Sequence, residues 1–279
     1  MLNIIKSGFF TTVQDSGRFG YRDKGVPVAG AMDSFTASKL NTLLENEENS
    51  AVLEITMTGP TLEFEEDSYI VLGGAEMSVT LNDMAVENYK VYKVNSGDIL
   101  SYGKLLKGFR AYLAIKDGFK TSLVLGSRSF FKPITEHDSI KKIPALPYNK
   151  YKEFSPKITK LKVDSVLDKS QLEVFKGPEY NLLTDKQLSQ IFYNEFSVAN
   201  ENNRMAYQLS EAIEGNTLSM LTSATLPGTI QLTPAGKLII LMKDGQTTGG
   251  YPRILQLSDM AMSILAQKRP GDLIRFKLK

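Results

Sequence analysis

The sequence has 279 residues, is 42% hydrophobic, and carries 33 Lys plus Arg against 31 Asp plus Glu for a formal net charge of +2. That is enough chain for two ordinary domains with a substantial core, and a charge this near zero gives no electrostatic drive toward nucleic acid or an anionic membrane. There is no cysteine, which excludes disulfides, thiolate nucleophiles, thiolate metal sites and iron–sulfur ligation, and no apolar run approaches the roughly 18 residues that would span a bilayer.

In chain order, the apolar stretch Leu2 to Ile5 reads as a short strand; it stops at Lys6 and has no signal-peptide core, so a cytoplasmic address is expected. Asp33 can cap a helix through Leu44. In the apolar run Val52-Leu53-Glu54-Ile55, Glu54 is either a buried partner for an arginine or an exposed strand residue. Period-two alternation and short apolar runs predict strands over Thr61–Phe64, Tyr69–Leu72, Ser78–Leu81, Val91–Val94, Ile99–Tyr102 and Arg110–Ile115. Ile140 to Leu161, with Pro144, Pro147 and Pro156 among several lysines, has the composition of a connection between domains. Beyond it come strands over Leu172–Phe175, Thr229–Leu232, Leu238–Met242 and Leu273–Phe276. Helices follow Thr184 through Phe192 and Ser258 through Gln267, the second stopped by Pro270-Gly271. The expectation is a mainly β chain with a few helices (α+β): a β domain over 1–145, a linker over 146–162 and a second β domain over 163–279.

An internal repeat supports two related halves. Thr12-Val13 followed by Arg18-x-x-Tyr21 returns as Ser197-Val198 followed by Arg204-x-x-Tyr207. Gly59 to Phe64 returns as Pro227 to Leu232, Tyr69 to Leu72 as Leu238 to Leu241, and Gly97 to Tyr102 as Gly271 to Phe276. Two copies are too few for a solenoid, so a tandem pair of similar β domains is the simpler reading.

The polar chemistry concentrates in two loops, each after an apolar strand. Asp244 to Pro252 crowds an acid, an amide, two hydroxyls, three glycines and a phenol into nine residues; Thr11 to Tyr21 holds Gln14, Asp15 and Arg18. Two such loops suggest a composite site. Gln14, Arg18, Tyr21, Arg204, Tyr207, Gln246, Thr247, Thr248 and Tyr251 are the candidate substrate-binding groups. An arginine fork can engage a carboxylate or phosphate, and Gln or Thr can orient an amide or stabilise a developing oxyanion. Asp15 and Asp244 are the candidate general bases. Each residue also has a structural role open to it: Asp15 can form an Asx-turn, Arg18 and Arg204 can lock loops to carbonyls, and Tyr21 and Tyr207 can be core phenols.

Other chemistries find little support. His137 is the single histidine, between Glu136 and Asp138; no nucleophile-elbow motif accompanies it, and no His/Cys cluster suits a metal. No Walker-type or G-x-G-x-x-G motif is present, so a nucleotide is expected elsewhere or through an unrelated motif.

The segments Thr11–Tyr21, Gly25-Val26-Pro27, Gly30 to Asp33, Leu125 to Ser129, Asn203 to Tyr207 and Gln246 to Pro252, in that order, resemble the family that includes the 5-oxoprolinase C subunits, the second allophanate-hydrolase-type subunit and the carboxyltransferase part of urea carboxylase. The resemblance runs from about Thr11 to Phe276. Departures are Ala29 where the family usually has Ser, Ala206 where it has Gly, and no proline over Ser223 to Leu226. The resemblance implies two tandem cyclophilin-like β-barrel domains. It further implies a subunit of an ATP-dependent 5-oxoprolinase, opening 5-oxo-L-proline to L-glutamate only with companion subunits A and B, with ATP used by the complex. It leaves two alternatives open: the carboxyltransferase component of a biotin-dependent urea carboxylase, or a regulatory binding module that antagonises a kinase-inhibitor protein.

Overall fold

In the computed structural model, which describes residues 1–217 and 220–279, the N-terminal apolar run forms β1 (Leu2–Lys6), followed by β2 (Phe10–Gln14), helix α1 (Ser34–Leu43), β3 (Val52–Thr56), β4 (Thr61–Phe64), β5 (Ser68–Leu81), β6 (Met84–Ala85), β7 (Val91–Val94), β8 (Ile99–Ile115) and β9 (Ala145–Leu146). These strands make one curled sheet in the order β2-β3-β8-β4-β1-β9, with β5 pairing β6, β7 and β8. Strands β5 and β8 run straight through glycines that the sequence presents as breaks. They absorb them in register shifts between Gly74 and Val79, and a side chain at Gly103 would meet Ser78 O at 2.6 Å.

Alternation along the strands builds two apolar layers. Leu53, Ile55, Leu113 and Ile115 join Leu62, Phe64 and Leu72 in one cluster; Val52, Val71, Tyr112 and Ala114 face Leu40, Leu43 and Leu44 of α1 in the other. Helix α1 begins where Asp33 places it, with Oδ1 accepting the Thr36 N–H at 2.9 Å and Oδ2 the Thr36 hydroxyl at 2.7 Å.

Glu54 resolves to the buried alternative. Its Oε2 accepts the Met32 N–H at 2.7 Å and the Tyr112 hydroxyl at 2.8 Å, and Oε1 lies 3.7 Å from Arg110 Nε. Tyr112 in turn accepts the Asp33 N–H at 2.8 Å. Burial, then the Glu54 and Asp33 carboxylates, pushes the Tyr112 phenol well above its ordinary range, so it stays a neutral bridge.

A second compact unit consists of Phe19–Val28 with Asp168–Lys279, and the first of Met1–Arg18 with Ala29–Leu167. The second contains β10 (Gln171–Lys176), α2 (Asp185–Tyr193), β11 (Phe196–Asn202), β12 (Ala206–Ala212), β13 (Ser223–Ala224), β14 (Thr229–Leu232), β15 (Lys237–Leu241), β16 (Thr248–Gly249), β17 (Arg253–Leu257), α3 (Asp259–Ala266) and β18 (Leu273–Leu278). Seven strands close a barrel, β10-β17-β14-β15-β12-β11-β18, through parallel pairing of β18 with β10 (Leu172 opposite Phe276); β13 and β16 pair separately. Closure leaves this sheet no open edge. Helices α2 and α3 start at the expected caps, Thr184 with a full capping box and Ser258 accepting the Ala261 N–H at 3.2 Å.

Residues 146–162, expected as a linker, are bound into the first unit. Leu146 pairs with Leu2, the Tyr148 hydroxyl donates to Glu66 O at 2.6 Å, and the Phe154 and Leu161 side chains pack against the α1 layer. The repeat marks strands without marking equivalent places. Strand β4 pairs with β1 and β8, whereas its counterpart β14 pairs with β15 and β17. Arg18-x-x-Tyr21 lies in a loop, while Arg204-x-x-Tyr207 turns into β12. Short alternating strands resemble one another whatever their neighbours.

Tyr112→Phe deprives the Asp33 N–H of its acceptor and is expected to cost about 1–3 kcal/mol. Glu54→Ala removes the carboxylate facing Arg110 and is expected to cost about 3–5 kcal/mol. Urea midpoints at unchanged m-value check both.

Candidate functional site

The first-unit loop after β2 is held by charges turned inward. The Asp15 carboxylate accepts the Gly17 N–H (2.9 Å), the Ser127 and Ser129 hydroxyls (2.7 and 2.6 Å) and the Arg128 N–H (2.6 Å). Arg18, fully buried, donates through Nε to Val124 O at 3.0 Å and through Nη2 to Ser129 O at 2.9 Å. Carboxylate and guanidinium thus grip one segment, 124–129, by its donors and its carbonyls respectively. Gln14 is equally engaged: its amide donates to Thr12 Oγ1 and Phe130 O and accepts the Gly30 N–H at 3.0 Å. Gly30, at φ +87°, lies so close to Gly17 that a side chain would meet its backbone at 3.0 Å.

The second unit uses the same device at the turn before β12. Arg204 Nε and Nη2 donate to the two oxygens of Asp244 at 2.8 and 2.9 Å, a bidentate buried pair. The backbone adds Asp244 N–H to Arg204 O at 2.8 Å and Met242 N–H to Met205 O at 2.9 Å. Tyr207 is fully buried in the barrel wall. The candidate bases Asp15 and Asp244 are therefore occupied in fastening loops, and Gln14, Arg18, Arg204 and Tyr207 are buried with them.

The Gln246–Tyr251 segment is built the opposite way. Its backbone is pinned: Thr225 donates its hydroxyl to Gln246 O at 2.5 Å and its N–H to Thr247 O at 3.0 Å, β13 pairs with β16, and the Leu232 N–H donates to Pro252 O at 3.1 Å. The side chains of Gln246, Thr247, Thr248 and Tyr251 make no hydrogen bond among the described residues, and Gln246, Thr248 and Tyr251 are exposed. One of the loop glycines is needed by the chain's own packing. A side chain at Gly245 would meet the backbone at Met242 O, 2.9 Å away, whereas one at Gly249 would meet only the movable amide ends of Gln231 and Gln246, and Gly250 faces open space.

Arg22, within the second unit, carries a group that the sequence pattern does not single out. Its Nη2 donates to Thr225 O, the residue that pins the loop, and its Nη1 is buried with no hydrogen-bond partner among the described residues. Burial lowers its guanidinium below the ordinary range, yet an arginine remains charged at neutral pH. Tyr21, beside it, is half-buried with no side-chain hydrogen bond among the described residues. The far end of the loop is fixed by Arg253, which donates to Glu179 from Nε and Nη2 at 3.0 and 2.8 Å and to Ala224 O from Nη1 at 2.6 Å. No signal in the sequence joins Arg22 to Thr225, which lie 203 residues apart. The described residues contain no group of three or more His, Asp or Glu placed to hold a metal ion.

The fold and loops define a two-unit β protein that presents amide, hydroxyl and guanidinium donors on a fixed backbone. Residues 24–278 match the carboxyltransferase domain family, subdomain A and B, and the chain belongs to that family. It is 34% identical over 282 residues to the 5-oxoprolinase C subunit of Escherichia coli, covering 99% of this chain and 90% of that one. Against the corresponding 5-oxoprolinase C subunit of Haemophilus influenzae it is 31% identical over 281 residues, with 99% and 91% covered. Its structure also matches the solved urea amidolyase of K. lactis with a TM-score of 0.84 at 26% identity, covering 99% of this chain but only 18% of that much longer one.

Asp244→Ala leaves the Arg204 charge in a buried turn without its carboxylate and is expected to cost about 3–5 kcal/mol in chemical denaturation. An unchanged midpoint would contradict the fastening role. Glu179 gives a pH signature. The Arg253 hydrogen bonds hold its pKa below the usual 4.5, so its contribution is present above 4.5 and is lost as pH falls through the depressed value. Glu179→Gln should cost roughly 1.5–3 kcal/mol at pH 7 and show a shallower loss of melting temperature below pH 4.5 than the unsubstituted chain.

Proposed function

We propose that this chain is the C-type subunit of a 5-oxoprolinase, opening the lactam of 5-oxo-L-proline to L-glutamate together with companion subunits A and B and with ATP. The observation that carries the reading is the set of uncommitted donors on a pinned backbone: Gln246, Thr247 and Thr248, joined through Thr225 to Arg22. The full-length similarity to two proteins named as C subunits of 5-oxoprolinase supports it.

Amide resonance makes the lactam carbonyl a poor electrophile. Phosphoryl transfer from ATP to its oxygen activates the ring carbon; addition of water and cleavage of the C–N bond release the amine, and hydrolysis of the resulting acyl phosphate gives glutamate and phosphate. In this reading Gln246 and Thr247 orient the lactam amide and stabilise charge developing on its oxygen. Arg22 receives an anionic group, the substrate carboxylate or the transferred phosphoryl, on Nη1. Tyr21, Thr248 and Tyr251 complete the binding surface. Asp15 and Asp244 are both spent on the fold, so the base and the nucleotide site are assigned to a companion subunit.

A second reading, carboxyl transfer from carboxybiotin to the amide nitrogen of urea, is favoured by the structural match to urea amidolyase. The same donors would then orient urea, and biotin carboxylase and the biotinyl carrier would be other chains.

Coexpression with the companion subunits, followed by assay of glutamate from 5-oxoproline with ATP and, in parallel, of urea with carboxybiotin, separates the two. The isolated chain is expected to be inactive in both assays. In the reconstituted complex, Gln246→Ala and Thr247→Val should each lower turnover about 100- to 1,000-fold, with stability changed by about 0.5 kcal/mol or less. Turnover by the chain alone, or near-normal turnover by both variants, would overturn this assignment.

A further inference from the structure

The first unit contains a cavity lined in part by Val124 of the segment that Asp15 and Arg18 hold and by Phe130 directly after it. It measures about 440 Å³, and its lining includes Phe130, Ile143 and Leu146 together with Lys120, Thr121 and His137. That volume falls in the range of small-molecule sites, and a lining of apolar side chains with a few polar groups suits one. Its walls are fastened to each other. The Lys120 N–H donates to Pro147 O at 2.7 Å, the Thr135 hydroxyl donates to His137 O at 2.7 Å, and the His137 and Phe130 ring centroids stand 6.1 Å apart.

Two polar groups there have capacity the protein does not use. Thr121 is 9% exposed and its hydroxyl has no hydrogen-bond partner among the described residues, an arrangement that costs stability unless something else supplies one. Rotation about χ1 exchanges the places of Oγ1 and the methyl, so the hydroxyl can turn to an occupant. The Lys120 ammonium donates to the Asp117 carbonyl at 2.7 Å and forms an ion pair with Asp117 Oδ2 at 2.8 Å, and with three hydrogens in all it keeps a third for an occupant. The remaining charge, Glu136, is 88% exposed at its side chain and so is strongly screened.

We propose that this cavity is a second binding site, for a small monocarboxylate with an apolar body: the body packs on Phe130, Ile143 and Leu146, and the carboxylate takes the Thr121 hydroxyl and the third Lys120 hydrogen. The site is independent of the lactam-opening assignment and is tested without turnover.

Phenylacetate is titrated into the full-length chain by ligand-observed NMR, beside benzyl alcohol and phenethylamine as its uncharged and cationic counterparts. Saturable binding of phenylacetate is expected, with both counterparts weaker by about tenfold or more. Thr121→Val should weaken phenylacetate binding about tenfold while leaving the melting temperature equal or higher, because an unpartnered hydroxyl is removed. Ala145→Trp, which fills the cavity from its wall, should abolish binding; if that variant does not fold, Thr121→Val decides. Absence of saturable binding to the unsubstituted chain, equal affinity for the three probes, or unchanged affinity in Thr121→Val would overturn the proposal.

Discussion

Four consecutive amide N–H groups, those of Gly30, Ala31, Met32 and Asp33, are buried, and the first unit is arranged around giving each an acceptor. They donate to Gln14 Oε1, Asp15 O, Glu54 Oε2 and the Tyr112 hydroxyl in turn. A buried N–H left unpaired costs on the order of 1–3 kcal/mol, so these acceptors bind together β2, β3, β8 and the start of α1. The need explains a glutamate in the middle of an apolar strand, and a tyrosine whose hydroxyl accepts from one side and donates to the other. It also explains why Gln14 is turned to the chain, with both Nε2 hydrogens and Oε1 bonded there.

Charged residues in this protein divide by what they face. Asp15, Arg18, Arg204 and Asp244 face the chain and fasten loops, each with its partners within 3.0 Å. Their burial is tolerable because carboxylate meets donors and guanidinium meets acceptors, leaving no bare charge in the interior. The polar residues of the Gln246–Tyr251 segment are the reverse case. Thr225 and the β13–β16 pairing hold their backbone, and their side chains are left to solvent. A pinned backbone with free side chains is the form a binding loop takes when the orientation of its donors matters, since little ordering remains to be done when a ligand arrives.

The family relationship and the geometry meet at this loop. Membership in the carboxyltransferase domain family fixes the scaffold, and a scaffold of this kind serves more than one reaction: its relatives include a 5-oxoprolinase C subunit and a urea amidolyase. Both names describe chemistry at an amide-like group. An amide side chain, hydroxyls and a guanidinium are groups whose chemistry suits either.

Much of the local structure is legible in the sequence. Asp33, Thr184 and Ser258 mark the three helix starts, because a cap bonds a backbone group only three residues ahead. Strands β4, β7 and β14 begin and end where alternation places them. Strands β5 and β8 do not, since bulges carry the pairing through glycines whose neighbours are distant in the chain. The polar loops are also legible as loops. Which of their residues are spent on the fold and which remain for a ligand is not, because a hydrogen bond is decided by proximity in space. The partner of Asp244 lies 40 residues away, the Ser127 and Ser129 hydroxyls that Asp15 accepts lie 112 and 114 away, and the acceptor of Arg22 lies 203 away. The sequence by itself determined the β-rich class, the helix starts and the places where polar chemistry collects; only the tertiary structure, by bringing those distant acceptors and donors together, decided that Asp15 and Asp244 fasten loops while Arg22 Nη1 and the Gln246 and Thr247 side chains keep no hydrogen-bond partner among the described residues.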